Sequence, residues 1–457
     1  MIRKLCLVFP RFRHKSGDPP LGICYIASYL RKRVDIQVSI LDTTFHPSLD
    51  YVSAFLQAEK PEVVGISFTT PMYEDGINIA RIAKDMGAIV VAGGPHATVC
   101  PESLIKNVDI ICIGEAEETM YDLMKVLPSD DCSQVEGIWY HENNTIRKNP
   151  PRKLISNLDS LEYPALDLVE INRYLDYWHY LDCIEPGLKG INVIASRGCS
   201  YNCTYCQPTL DKIFGKKTRF KSPEYLVNEL THYIDKYKVD KFFLHDDTFA
   251  ENKEWAHSFF DVLEEQKFKI IWGCNSRIDI DERLIRRMYE VGVRVVHFGI
   301  EAGSQRVISK IFHKGIKVDK VKGIINTAKT TGIYCGGYFM LGAPTETEEE
   351  INKTIRLAVS SELDEASFSI TTPIPGTRLF DKIKNDERYV LSQNFSDFDY
   401  YNKNLSYSGG GITSRRLAYL HKKALFLFYL TRWNYILRHI LSMKGIFRLY
   451  VKVRRFI

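Results

Sequence analysis

Apolar residues follow two rhythms along this chain. Leu5 to Phe9, Val38 to Leu41, Val63 to Ser67, Ala88 to Ala92 and Asp109 to Ile113 are short, nearly continuous apolar runs. Runs of that length between turn residues predict strands buried on both faces. Between them, Leu21 to Arg31 and Tyr73 to Met86 place apolar residues at helical spacing. Strands alternating with helices predict a Rossmann-like, doubly wound parallel sheet over residues 1–134, an α/β domain. Ligands of such sheets sit beyond the carboxyl ends of the strands. The loops there are Pro20 to Gly22, Ser67 to Thr70, Gly93 to His96 and Gly114 to Glu117.

Residues 135–190 read as a connector, with a hairpin suggested by Val135 to Tyr140, the Asn143-Asn144 turn and Ile146 to Lys148. A second alternation begins at Ile191. Strands are predicted at 191–195, 241–245, 269–273, 294–300, 333–340 and 366–371. Helices are predicted between them, at Pro223 to Tyr237, Lys253 to Gln266, Asp281 to Val291, Val318 to Thr330 and Glu348 to Leu363. Six such repeats fit a partial (β/α)6 barrel over 191–385 better than a closed eightfold one. Residues 386–457 then form a C-terminal basic helical region. Its apolar positions Leu417, Leu420, Ala424, Leu425, Phe428 and Leu430 continue through Trp433, Tyr435, Ile436, Leu437, Ile440 and Leu441.

Composition adds little until it is mapped. The chain has 457 residues, 45% hydrophobic and 26% charged, with a net charge of +5. That is ordinary for a soluble protein of two or three domains. The tail 413–457, however, holds eleven Lys and Arg and no acidic residue, so the rest is slightly acidic. A basic, aromatic-rich helix of this kind suits contact with an anionic membrane surface. It also suits a helical cap on the barrel with its charges in water. No nucleic-acid recognition motif accompanies it, so no nucleic-acid partner is expected. Eleven scattered cysteines in a large chain suggest free thiols in a reducing cytoplasm. Neither a signal-peptide core nor a run of about 18 uncharged apolar residues is present. The expected location is cytoplasmic, peripheral on the inner membrane face if the tail binds lipid.

The chemistry is concentrated in Arg197-Gly198-Cys199-Ser200-Tyr201-Asn202-Cys203-Thr204-Tyr205-Cys206, which directly follows a predicted strand. Three thiols on one loop can ligate three irons of a 4Fe-4S cubane and leave the fourth iron open. A cluster used only to carry electrons would call for a fourth cysteine at complementary spacing. Zinc would call for a second pair of ligands, which is missing. Cys199, Cys203 and Cys206 are therefore the expected metal ligands and the catalytic core.

This Cys-xxx-Cys-x-aromatic-Cys pattern, with Tyr205 in the aromatic place, resembles the radical S-adenosylmethionine superfamily. The segments Arg219 to Glu224, Phe242 to Phe249, Gly299 to Ser304, Leu341 to Thr347 and Pro373 to Thr377 are similar, in order and spacing, to its cobalamin (B12)-binding branch. That branch includes the anaerobic magnesium-protoporphyrin monomethyl ester cyclase, hopanoid C-methylases and P-methylases. The resemblance covers about residues 1–385. It implies three cofactors: a 4Fe-4S cluster, S-adenosylmethionine and cobalamin. It also implies an enzyme that forms a 5′-deoxyadenosyl radical and methylates an unactivated carbon of a small or lipid-like substrate. An external electron donor such as flavodoxin or ferredoxin is implied as well. An oxidative cyclase without methyl transfer, or a non-catalytic iron–sulfur protein, stays open.

For S-adenosylmethionine, the expected contacts are Tyr205, Asp246, Asp247, Arg277, Glu301 and Ser304. Carboxylates at strand ends can meet the methionyl ammonium or a ribose, and Arg277 can pair with the methionyl carboxylate. For cobalamin the resemblance points to Leu21, Gly22, Ser67, Thr69, Gly93, Gly94, His96, Gly114 and Glu115, with glycines letting a broad ring approach the backbone. The Asp-x-His-xx-Gly pattern that supplies an axial histidine is absent, and His14 and His46 lack that context. Cobalamin is thus expected without a protein histidine on cobalt. Neither GxGxxG nor GxxxxGKS follows the first strand, which argues against a dinucleotide or a nucleoside triphosphate.

Overall fold

The computed structural model describes residues 2–13, 15–127, 131–143, 145–207, 209–399 and 405–432. His14 and the tail pattern from Trp433 to Leu441 lie outside them. The chain forms two compact units: Met1–His179 with Ser196–Ser200 and Pro208–Val239, and Tyr180–Ala195 with Tyr201–Gln207 and Asp240–Ile457.

The first unit is built on β1 (Lys4–Phe9), β2 (Gln37–Asp42), β3 (Val63–Ser67), β4 (Ile89–Gly93), β5 (Ile110–Cys112), β6 (Ile138–Glu142) and β7 (Thr145–Lys148), in the order β2-β1-β3-β4-β5-β6-β7. The first five are parallel, as their apolar runs predict. Their core contains Cys6, Val8, Val64, Ile66, Val90, Ala92 and Ile111. Helices Leu49–Glu59 and Glu117–Val126 were not predicted. The first buries only Val52 and Leu56, too few to print a period, and starts at Ser48, whose side chain accepts from the Asp50 amide. The hairpin β6–β7 is not part of a free connector. It adds to β5 antiparallel, with Ile111 opposite Trp139, so this sheet runs past residue 134. Period-two alternation marks a strand but does not name its partner.

The second unit holds β8 (Gly190–Val193). Next in the chain come β9 (Ser196–Arg197) and β10 (Arg219–Phe220), a short antiparallel pair in the first unit. Then follow β11 (Lys241–Leu244), β12 (Ile271–Arg277), β13 (Val293–Glu301), β14 (Tyr334–Leu341) and β15 (Glu365–Ile370). Six parallel strands in the order β15-β14-β13-β12-β11-β8 curl into a half-barrel. One face carries Phe242, Trp272 and Phe298, fully buried. Phe242 stacks on Trp272 with ring centres 5.3 Å apart, and Trp272 meets Phe259 of helix Lys253–Glu265. Alternation puts Asn192, Phe243, Asn275, His297, Gly299 and Tyr338 on the other, inner face. Strand β12 runs four residues past the predicted 269–273, because Asn275 and Arg277 are polar inner-face positions that break the apolar run.

The start of the basic tail docks on the half-barrel. Helix Ser414–Leu430 buries Leu417, Leu420, Ala424 and Phe428. Arg416 pairs with Glu348 at 2.5 Å, His421 bonds the Phe368 carbonyl at 2.8 Å, and Tyr429 donates to the Ala366 carbonyl at 3.0 Å. Over these residues the tail is a cap. Among the described residues, no helix is long and apolar enough to cross a membrane. Leu420→Ala is expected to lower unfolding stability by about 2–5 kcal/mol in chemical denaturation. Phe426→Ala, 65% exposed on the same helix, should change it by no more than about 0.5 kcal/mol. Equal responses would mean that the helix is not docked.

Candidate active site

The cluster loop leaves β9 at Gly198, whose φ of +95° is left-handed and free of strain only for glycine. Cys199 and Cys206 are half-buried and Cys203 is buried. The Cys206 and Gln207 amides both donate to the Cys203 carbonyl, at 3.1 and 2.8 Å, which folds this end of the loop into a turn. Six other cysteines, Cys6, Cys24, Cys112, Cys132, Cys274 and Cys335, are core residues. Burial pushes the Cys6 and Cys112 thiols up to about 12 and raises Cys24, Cys274 and Cys335 well above their ordinary value. Thiols that stay protonated are poor ligands and nucleophiles. Cys199, Cys203 and Cys206 follow one another on a single loop.

Glu301 ends β13 with φ +65°, just after a slip in its register against β14. A left-handed non-glycine residue costs of order 1–3 kcal/mol and marks a place the surroundings enforce. Its Oε1 accepts from the Tyr205 hydroxyl at 2.8 Å and from the Lys314 ammonium at 2.5 Å. Burial, and then the Glu301 charge, raise the Tyr205 pKa well above its ordinary value, so the hydroxyl stays a donor. Arg277 is nearly buried and stacks 3.7 Å over the Tyr201 ring. Its Nε and Nη2 grip Asp279 at 2.9 and 2.7 Å, and Nη2 also donates to the Lys314 carbonyl at 2.8 Å. The structure therefore gathers Tyr205, Glu301 and Arg277 in one cluster around Lys314 and Tyr201, two residues that sequence reading had not singled out. A buried lysine carries no periodic signal until the fold gives it a partner.

The other strand-end residues divide. Asp246 is buried and accepts the Ala195 amide at 3.1 and 3.2 Å, tying the end of β11 to that of β8. Asp247 is exposed at its edge, with its carboxyl pushed up to about 7, first by loss of water and then by Asp246 and Glu251. Water still reaches this side chain, so repulsion from the two carboxylates is the lasting cause. Ser304 is turned inward, donating to Glu350 at 2.8 Å.

In the first unit the strand order reverses between β1 and β3, the usual ligand crevice of such sheets. Ser67 and Thr69 follow β3, half-buried. A Cβ added at Gly22 would meet open space, and at Gly93 or Gly114 nothing nearer than 3.7 Å, so these backbones are bare. Gly94 and Gly114 also have left-handed backbones, φ +89° and +81°, and at Gly94 a Cβ would lie 2.9 Å from the Phe68 carbonyl. A cradle of bare glycines suits a broad, flat ring. His96 is no free ligand. It is buried, bonded to the Thr70 and Ser103 hydroxyls at 3.1 and 3.0 Å, with its pKa lowered to about 4 by burial. His46 pairs with Glu170 at 2.6 Å. Neither is placed as a cobalt ligand. Glu115 is also occupied: it takes Arg197 at 2.9 Å, Arg219 at 2.9 and 3.0 Å, and the Ile155 amide at 3.0 Å. Leu21 packs on Tyr25, Ile155, Leu158 and Leu161.

A family model described as the radical SAM superfamily matches residues 193–358, and one described as a B12 binding domain matches 17–124. An uncharacterized methyltransferase of Pyrococcus horikoshii is 33% identical, covering 91% of this chain and 88% of its own. The anaerobic magnesium-protoporphyrin IX monomethyl ester cyclase of Cereibacter sphaeroides is 25% identical over 84% of this chain and 64% of its own. The radical S-adenosylmethionine methyltransferase TsrM of Kitasatospora setae, solved with cobalamin and a [4Fe-4S] cluster, has the same fold. Its TM-score is 0.71 at 15% identity, over 87% of this chain and 81% of that one. Cluster loop, half-barrel, glycine cradle and relatives agree: the chain belongs to the cobalamin-binding methyltransferase branch of the radical S-adenosylmethionine superfamily.

Proposed function

We propose that this enzyme methylates an unactivated carbon of a small substrate that carries a polar group. The observation that carries the polar group is the inner face of the half-barrel. There His297 accepts from the Tyr338 hydroxyl at its Nδ1, 3.0 Å away, and faces Glu365 with its Nε2 at 3.1 Å. The carboxylate holds the proton on Nε2, which fixes the tautomer. Tyr338 is 40% exposed despite its strand position, so its ring borders open space on this face. Asn192 and His245 extend this polar layer, 3.2 Å apart. A guest with a polar group of its own matches this layer better than a purely hydrocarbon one, which would strip water from it at a cost in binding.

Cys199, Cys203 and Cys206 would hold the cluster, and the bare backbones of Gly22, Gly93 and Gly114 would leave room for the corrin ring. When bound, the cluster supplies the electron that splits S-adenosylmethionine, and the corrinoid supplies the methyl group. A flavodoxin or ferredoxin fits as the electron source. The relation to the cyclase supports a second reading, in which the substrate is oxidised or closed into a ring without gaining carbon.

Reduced anaerobically with S-adenosylmethionine, the enzyme is expected to release 5′-deoxyadenosine, and Cys203→Ala to lower this to background. Release that survives the substitution would count against the cluster loop. Products made with methyl-labelled S-adenosylmethionine should gain one labelled methyl per turnover, whereas the cyclase reading expects no label in the product. For a membrane-surface role, the segment after Arg432 is the one to remove, because the helix before it is docked. That truncation should lower co-sedimentation with anionic liposomes, and undiminished binding would rule the role out.

A further inference from the structure

The stretch Ile311–Lys314 lies along the cluster loop and is bonded to it repeatedly. The Thr204 amide donates to the Phe312 carbonyl at 2.9 Å, and the Thr204 hydroxyl to the Ile311 carbonyl at 2.6 Å. The Phe312 ring meets the Tyr205 ring edge-on, centres 5.2 Å apart. Arg277 clasps the Lys314 carbonyl from the end of β12. The chain is held into this path by left-handed residues at His313 and Gly315.

At the end of the stretch, the Lys314 ammonium is almost fully buried, 2.5 Å from Glu301 Oε1 and 3.4 Å from the Tyr205 hydroxyl. Gly299 leaves it space: a Cβ there would come within 2.8 Å of Nζ and 3.0 Å of Glu301 Oε1. Lys314 and Tyr205 both donate to the same carboxylate oxygen, Glu301 Oε1. Glu301 Oε2 and the third ammonium hydrogen have no partner among the described residues, and so remain for a ligand.

We propose that Lys314 is a positioning residue for S-adenosylmethionine. It clamps Glu301 Oε1 against the Tyr205 hydroxyl, locks the Cys203–Cys206 turn to the end of β13, and leaves Oε2 as the acceptor for a hydroxyl or ammonium of the ligand. This rests on the radical S-adenosylmethionine reading of the site. The positive charge also offsets Glu301 beside a cluster whose three thiolates are negative. Loss of the clamp frees the turn and the carboxylate to move apart, so binding weakens while the cysteines still hold iron.

The test uses full-length enzyme with its cluster reconstituted anaerobically, and S-adenosylmethionine as the probe. Affinity is read by equilibrium dialysis, and the ligand's approach to iron by the change it causes in the electron paramagnetic resonance spectrum of the reduced cluster. Lys314→Met is expected to keep its iron, bind S-adenosylmethionine about tenfold more weakly, and lose most of the spectral change. Tyr205→Phe removes one hydroxyl from a loop that should still fold, and is expected to weaken binding by roughly threefold to tenfold. Because both act through one oxygen, the double variant should be little worse than Lys314→Met alone. Unchanged affinity in both single variants, or effects that simply add, would overturn the proposal. A wild-type cluster whose spectrum ignores S-adenosylmethionine would overturn the radical reading, and this proposal with it.

Discussion

A strand's side chains alternate between two faces, and the six-stranded sheet of this protein gives those faces opposite work. Outward go Phe242, Trp272 and Phe298, sealed under helices. Inward go Asn192, His297, Tyr338 and Glu365, polar side chains with polar partners, beside the Phe243 ring. The pleat enforces this division, because a slip of one residue would send each polar group into the helix layer. The slip before Glu301 shows the same constraint used deliberately, since the irregularity re-aims one carboxylate at the strand end.

Much of this was legible beforehand. Both sheets were readable because parallel strands buried on two faces print as apolar blocks, as in Val63–Ser67, where expected and observed ends coincide. The cysteine loop was readable because thiols are scarce and their spacing is local. What escaped depends on distance along the chain. The far end of β12 is hidden from a hydropathy pattern because Asn275 and Arg277 face a polar interior that looks like a loop in sequence. Lys314 looks like any surface lysine until Glu301 and Tyr205 are brought beside it.

Glu115 and His96 show the converse difficulty. Each stands in a strand-end loop where a ligand contact is expected, and each is spent on holding loops together. The cradle around them is shaped by what is missing, at Gly22, Gly93 and Gly114, more than by side chains that reach out.

The carboxylates of Glu115 and Glu117 also bear on the order in which the molecule is made. They are buried against Arg197 and Arg219, and Glu115 reaches Arg219 across 104 residues of chain. A nascent chain emerging at about 5–20 residues per second carries both acids for several seconds before the second arginine appears. Unpaired carboxylates resist burial, so the N-terminal sheet stays unsealed at that corner until the segment through Arg219 has been synthesised. Both arginines belong to the first unit although they follow most of it in the chain, so its corner around Glu115 closes only once the sequence through Arg219 has left the ribosome.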